Sequence, residues 1–487
     1  MISYRKALPL ALTLFGALSG ASAATPDGAA GWAELAQRDL RAAADAIRGR
    51  HFGAVAGHLN VTAPLEHGLR AAQAEAALVG DEIAYNRMLA RFVSGFGDPH
   101  TGLELDLRDT GWTGLMLDRV DGRYRVTWSE ANWPVALPPR GAEVRDCDGV
   151  WIGTYLQTRV APYVNHAGEY AHTMSLLAQQ VMRQNGLAWA PARCTFVLGD
   201  GAVKSYELPL RGVPSDVSQT RLDAATRDRV AVARPVDVYP MPRDMYWVGM
   251  PSFGVRDGGK AYEAVYAKLR ALKGAKWVVL DLRGNGGGST AWGQNALAAM
   301  YGGGYADRLE KGAGSASYAI ADQATIDQFT RFAAHPNFAP MKDYLLKSAA
   351  KLAAARQAGR AVDLIDGDDS DPAAIRQPFS LAAPRGPRLA AVIDRNCFSS
   401  CQSVLQQIRR VKGAVVLGEA TVGYSPYGET TEVKLPSGRA ALFVPSGYFL
   451  SSTATREPMT PDVAYPGNMG DDAALMRWVG KELAARR

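Results

Sequence analysis

Two adjacent serines, Ser399 and Ser400, stand between two cysteines four residues apart in "VIDRNCFSSCQSVLQQIRR", residues 392–410. The run "VID" reads as the end of a buried strand, and Val404, Leu405 and Ile408 share one face of a following helix. A serine at such a junction has two uses. With Gln402 it completes a Ser-x-x-Gln capping box, in which the hydroxyl accepts from backbone N–H groups and does no chemistry. Alternatively, the turn exposes the hydroxyl as a nucleophile, and the helix N-terminus favours negative charge beside it. These residues alone leave both readings open. The flanking Cys397 and Cys401 read as a disulfide clamp, as two packed thiols or as a redox pair, although the spacing is not C-x-x-C.

A second feature is "DLRGNGGGS", Asp281 to Ser289. It lacks the Lys-Ser/Thr of a phosphate-binding loop and the G-x-G-x-x-G of a dinucleotide fold. Three glycines after a buried strand do allow close backbone approach, with amides turned toward a developing negative charge, as an oxyanion hole requires. The other reading is a purely structural glycine turn. A third feature is His100 in "GDPHTGL", either a general base or an imidazole satisfied within its own turn by Asp98 and Thr101. The remaining histidines, at positions 51, 58, 67, 166, 172 and 335, show no zinc-ligand spacing, so no metal is expected. The acidic run "DGDDSD" lacks the spacing of a calcium loop and reads as solvated.

The elements that must position these residues follow from periodicity. Residues 25–105 read as a helical domain, rich in Ala, Leu and Arg with apolar residues three and four apart. Residues 112–212 alternate as strands, interrupted by the helical "YAHTMSLLAQQVMRQ". This block is similar to a PDZ-like module, which docks an extended peptide by strand addition. Residues 235–470 alternate strand and helix as an α/β core, with a polar helical insertion at about 305–375, and residues 471–487 form a last helix.

Composition sets the compartment and removes some function classes. With 487 residues and 47% hydrophobic content the chain can bury several cores. A net charge of +6, dispersed along the sequence, gives no argument for nucleic acid. Arg5 and Lys6, then "ALPLALTLFGALSG" and "ASAA", read as a signal peptide over residues 1–23. No later stretch reaches the roughly 20 apolar residues of a membrane helix. The mature chain is therefore expected to be periplasmic or secreted, where cysteines oxidise. The pairing expected is Cys147 with Cys194 and Cys397 with Cys401, because each pair lies within one apparent domain.

With these features in place a resemblance appears. "VVLDLRGNGGG", "VIDRNCFSS" and "VVLGEATVG" follow in the order and spacing of the tail-specific (C-terminal-processing) serine peptidases and the related tricorn core, with "GDPHTGL" and "PMTPDVAY" also in place. The similarity spans about residues 32–465 and implies a mixed-sheet peptidase core with ClpP/crotonase-like layers, preceded by a helical domain and an inserted PDZ-like β-rich domain. It places Ser399 at the nucleophile. Gly286 or Gly287, with the amide of Ser400, fall at the oxyanion hole. It also departs from the tail-specific pattern, because Tyr424 stands where that branch has its general-base lysine, and a tyrosine is a poor base. The tricorn-like branch, which this chain is closer to, implies His100 as base and Glu457 as the carboxylate orienting it.

The resemblance therefore implies an exported, cofactor-free serine peptidase acting on peptides or unfolded chains. Two alternatives remain at this level: a catalytically inactive peptide-binding protein on the same fold, and an esterase using the same triad.

Overall fold

The computed structural model describes residues 26–486 apart from 106, 108–110, 165–167, 169, 188–189, 228–232, 256–257, 273, 313, 376 and 451–455. The expected signal peptide and His166 lie outside the described residues. The chain is mixed α/β and divides into two units, one running to Asp228 and including Glu432–Val444, the other made of Arg229–Thr431 and Pro445–Arg487.

In the first unit the amphipathic helices Gly28–Arg50, Leu59–Ala76 and Glu82–Ser94 bury Leu35, Leu40, Ile47, Leu65, Leu89 and Phe92. An antiparallel sheet follows, with Leu115–Val120, Arg123–Ser129, Glu143–Cys147, Arg193–Val197 and Val203–Glu207 in sequential order. Alternation places Leu115, Leu117, Val126, Val144 and Phe196 on one face, where Leu177 and Ala178 of the helix Ala171–Gln180 cover them. Cys147 and Cys194 are directly paired across neighbouring strands and form a disulfide with Cα atoms 4.1 Å apart. A further helix, Ser215–Arg227, buries Leu222 and Ala225 with Trp112 and Met116.

The second unit is built on a six-stranded sheet ordered Val238–Met241, Met245–Gly249, Trp277–Asp281, Arg388–Ile393, Val415–Gly418 and Val463–Ala464. The first pair is antiparallel and every later pair is parallel. Strands buried on both faces read as continuous apolar runs, and Trp277–Asp281 is fully buried. Val278, Leu280, Leu389, Ala391 and Ile393 face the helices Lys260–Ala271, Ala291–Tyr301 and Ser400–Arg409. Trp277, Val279, Ala390 and Val392 face the last helix, Asp472–Ala484, through Leu475, Val479 and Leu483. The layers are therefore helix, sheet, helix. The segment at 305–375 holds two antiparallel strands, Ala316–Ile320 and Val362–Gly367, besides its helices.

Register decides where chemistry gathers. Asp281 pairs with Val392 and Ile393 with Gly418, so neighbouring parallel strands end side by side. The glycine loop leaves the first of these ends and the serine turn leaves the second. In open parallel sheets, sites form at such carboxyl ends.

Candidate active site

Ser399 begins the helix Ser400–Arg409 with φ 53° and ψ −123°, and its side chain makes no cap hydrogen bond. A left-handed φ on a residue carrying a Cβ costs about 1–3 kcal/mol and persists only where its surroundings enforce it. The capping box is therefore not formed. Its other member, Gln402, donates instead to Thr421 Oγ1 at 3.2 Å and to the Val422 carbonyl at 2.8 Å. The turn is closed by the Cys397–Cys401 disulfide, with both residues buried and Cα atoms 5.4 Å apart. The clamp reading of these cysteines is the one realised.

The glycine loop is folded against this turn. Gly287 takes φ 99°, and a Cβ placed on it would lie 2.8 Å from Ser399 Cβ and 3.1 Å from the Ser400 nitrogen. Only glycine permits that approach. Gly288 runs beside Phe253 as a parallel bridge, with Ser289 N–H donating to the Phe253 carbonyl at 3.0 Å. Ser400 Oγ donates to the Gly288 carbonyl at 2.6 Å, and Thr290 Oγ1 donates to Ser400 Oγ at 3.1 Å. Of the expected oxyanion donors, the Gly287 amide is already engaged by Asn285 Oδ1 at 2.9 Å. The Ser400 nitrogen borders the same contact, at the N-terminus of the helix Ser400–Arg409, where the helix dipole is positive.

The loop is anchored at its base by a buried ion pair. Arg283 forks onto Asp281 at 2.8 and 2.6 Å, and reaches Asp472 at 2.7 Å and the Met469 carbonyl at 2.9 Å. Trp247 Nε1 donates to Asp281 at 3.0 Å, which completes the hydrogen bonding a buried charge requires.

His100 lies in the first unit and is buried. Its backbone N–H donates to Asp98 Oδ1 at 3.3 Å. Burial lowers its pKa from the ordinary histidine value, and the nearby Asp98 pulls the other way. Asp98 is itself held by Thr101 Oγ1 at 2.9 Å and lies 3.7 Å from His51 Nε2, which in turn contacts Thr101 Oγ1 at 3.1 Å. His51 was not singled out by sequence, because its helical surroundings gave no sign of a partner 50 residues away.

Glu457 belongs to the second unit and is exposed. It sits on a segment tied to the Thr421–Tyr424 turn: Tyr424 N–H donates to the Arg456 carbonyl, and Thr421 N–H to that of Met459, both at 3.1 Å. Tyr424 is buried, whereas Lys412 and Lys434 are exposed. Among the described residues no three His, Cys, Asp or Glu side chains group as a metal site requires.

A sheet that brings a glycine loop onto a strained serine at a helix N-terminus defines a hydrolase of the serine-peptidase class. Residues 245–465 match the family description "Peptidase family S41", and this part of the chain is an S41 peptidase domain. Among solved structures, mature CPAF complexed with lactacystin aligns at TM-score 0.62 and 12% identity, over 93% of this chain and 98% of that one. The photosystem II D1 C-terminal processing protease aligns at TM-score 0.38 and 14% identity, over 92% and 98%. The tricorn protease aligns at TM-score 0.38 and 11% identity, over 93% of this chain and 37% of that one. The likeness to CPAF is one of fold. No curated protein matches in sequence.

Proposed function

We propose that the chain is an exported serine peptidase that cleaves peptides or unfolded protein chains through an acyl-enzyme on Ser399. The observation that carries this reading is the backbone of Ser399, held at φ 53° against the glycine loop without a capping bond. Ser399 Oγ attacks the peptide carbonyl while His100 takes its proton. The oxyanion is met by the amides of Ser400 and of the loop, where Gly286 is favoured because Gly287 donates to Asn285. The C–N bond then breaks, His100 returns the proton to the leaving amine, and water deacylates the serine by the same route. A lowered pKa keeps His100 neutral, the form a base needs, at neutral pH. Glu457 is assigned the role of orienting the imidazole and stabilising its cation.

Export is supported by the N-terminal sequence and by two disulfides. No helix among the described residues is long and apolar enough to cross a membrane. The strand Leu115–Val120 ends its sheet beside the helix Ala171–Gln180, an arrangement suited to adding an extended substrate strand in the PDZ-like manner.

Labelling with a serine-directed fluorophosphonate tests the reading. The wild-type chain should be labelled at Ser399, with loss in Ser399→Ala and His100→Ala and reduction in Glu457→Gln. A folded wild-type protein that takes no label would overturn the assignment in favour of a binding protein. Ester turnover without peptide turnover would identify an esterase.

A further inference from the structure

We infer that Asp394 is a positioning residue whose carboxylate locks the oxyanion loop to the nucleophile turn. This rests on the serine-peptidase reading above. Asp394 follows the strand Arg388–Ile393 and is buried. Its Oδ1 accepts from the Asn396 backbone N–H at 3.1 Å, and its Oδ2 from Asn396 Nδ2 at 3.1 Å. Those contacts alone would be a local turn. The same Oδ1 also accepts from the Gly284 N–H at 3.0 Å, 110 residues away in sequence. One carboxylate thus bridges the first glycine of the loop to the start of the serine turn.

Two further ties lie beyond it. Phe398 N–H donates to the Asn285 carbonyl at 3.1 Å, and Ser400 Oγ to that of Gly288 at 2.6 Å. Loop residues 284, 285 and 288 therefore meet turn residues 394, 398 and 400 in sequence order. Oxyanion stabilisation depends on donors held in place before charge develops, so a lock joining the two donor-bearing segments acts on the chemical step. Burial pushes the Asp394 carboxyl up to about 6, against the opposing pull of its backbone hydrogen bonds. Its hydrogen bonds from the Gly284 and Asn396 amides favour the carboxylate form, and hydrogen bonds to a charged acceptor are the stronger kind.

The test compares full-length wild type with Asp394→Ala and Asp394→Asn. Removing one oxyanion donor outright costs about 100- to 1,000-fold in kcat, so loosening the pair should cost about 10- to 100-fold. Asp394→Ala is expected to lower kcat on a peptide ester by that factor and to slow fluorophosphonate labelling in parallel, with KM within about threefold. Asp394→Asn, which keeps an acceptor for Gly284, should recover most of the loss. Hydrogen exchange should rise at residues 284–288 in Asp394→Ala while the strand Trp277–Asp281 stays protected. Unchanged kcat, unchanged loop exchange, or losses that only follow the folded fraction would each overturn the assignment. If wild type neither labels nor turns over, the peptidase reading fails, and the exchange measurement decides the lock independently.

Discussion

Gly287 and Ser399 pack so closely that a methyl group on the first would sit 2.8 Å from the Cβ of the second and 2.9 Å from the Phe398 carbonyl oxygen. The glycine is required twice over, by this contact and by its φ of 99°. Gly287→Ala must push the loop off the serine turn. We expect kcat to fall at least tenfold and stability by about 1–3 kcal/mol, the cost of placing a Cβ at a strained position. Steady-state kinetics and thermal melts would check this. Wild-type kcat in a folded Gly287→Ala would mean that the loop does not serve the reaction.

Ser399 carries strain that glycine would relieve. Ser399→Gly and Ser399→Ala both remove the hydroxyl, so both should abolish labelling. Of the two, only glycine takes φ 53° without strain, and it should raise the melting temperature relative to alanine. The net gain is expected at about 1 kcal/mol, after the greater freedom of glycine in the unfolded chain is set against the relieved strain. Equal melting temperatures for the two variants would show that the turn is not strained.

The two disulfides should separate by function. Cys147–Cys194 closes a separation of 47 residues and Cys397–Cys401 one of 4. Chain entropy alone assigns about 4 kcal/mol to the first and about 2 kcal/mol to the second. Replacing the first pair by serine should lower stability most and leave kcat on a small ester largely intact. Replacing Cys397 and Cys401 should cost less stability and more kcat, because that bridge encloses Ser399. Denaturant titrations with ester kinetics would decide, and a reversed ranking would refute the division.

With His100 as the proposed base, the pH dependence follows from its burial. Its pKa is lowered by burial, and Asp98 opposes the shift. The base form is the neutral imidazole, so the acid limb of kcat/KM should have its midpoint below the ordinary histidine value of about 6.5. The folded state binds fewer protons there than the unfolded state, so this group's contribution is present above about 6.5 and is lost as pH falls. His100→Asn should flatten the stability profile across that window. A midpoint above 6.5, or an unchanged stability profile, would contradict the buried neutral imidazole.

Much of the fold is legible from pattern because period and burial are local properties. "AKWVVLDLR" announces a strand buried on both faces, and the paired face residues of the helix after Ser399 are set by spacing. The strands Ala316–Ile320 and Val362–Gly367 were less visible within a helix-rich insertion, because each is short and takes its pairing from a distant partner. Of the proposed site residues, Ser399, the glycine loop and His100 are legible as candidates in the sequence. Asn285 and Asp394 did not stand out, since a polar residue in a turn has many uses.

The amino-acid order thus determined which groups are present and which segments are strands, loops and helices, through side-chain size, polarity and period. Only the tertiary structure decided that the Ser399 side chain does not cap its helix. That choice depends on parallel strand ends bringing Gly284 onto Asp394 and Gly287 onto Ser399, contacts more than 100 residues apart that no local pattern encodes.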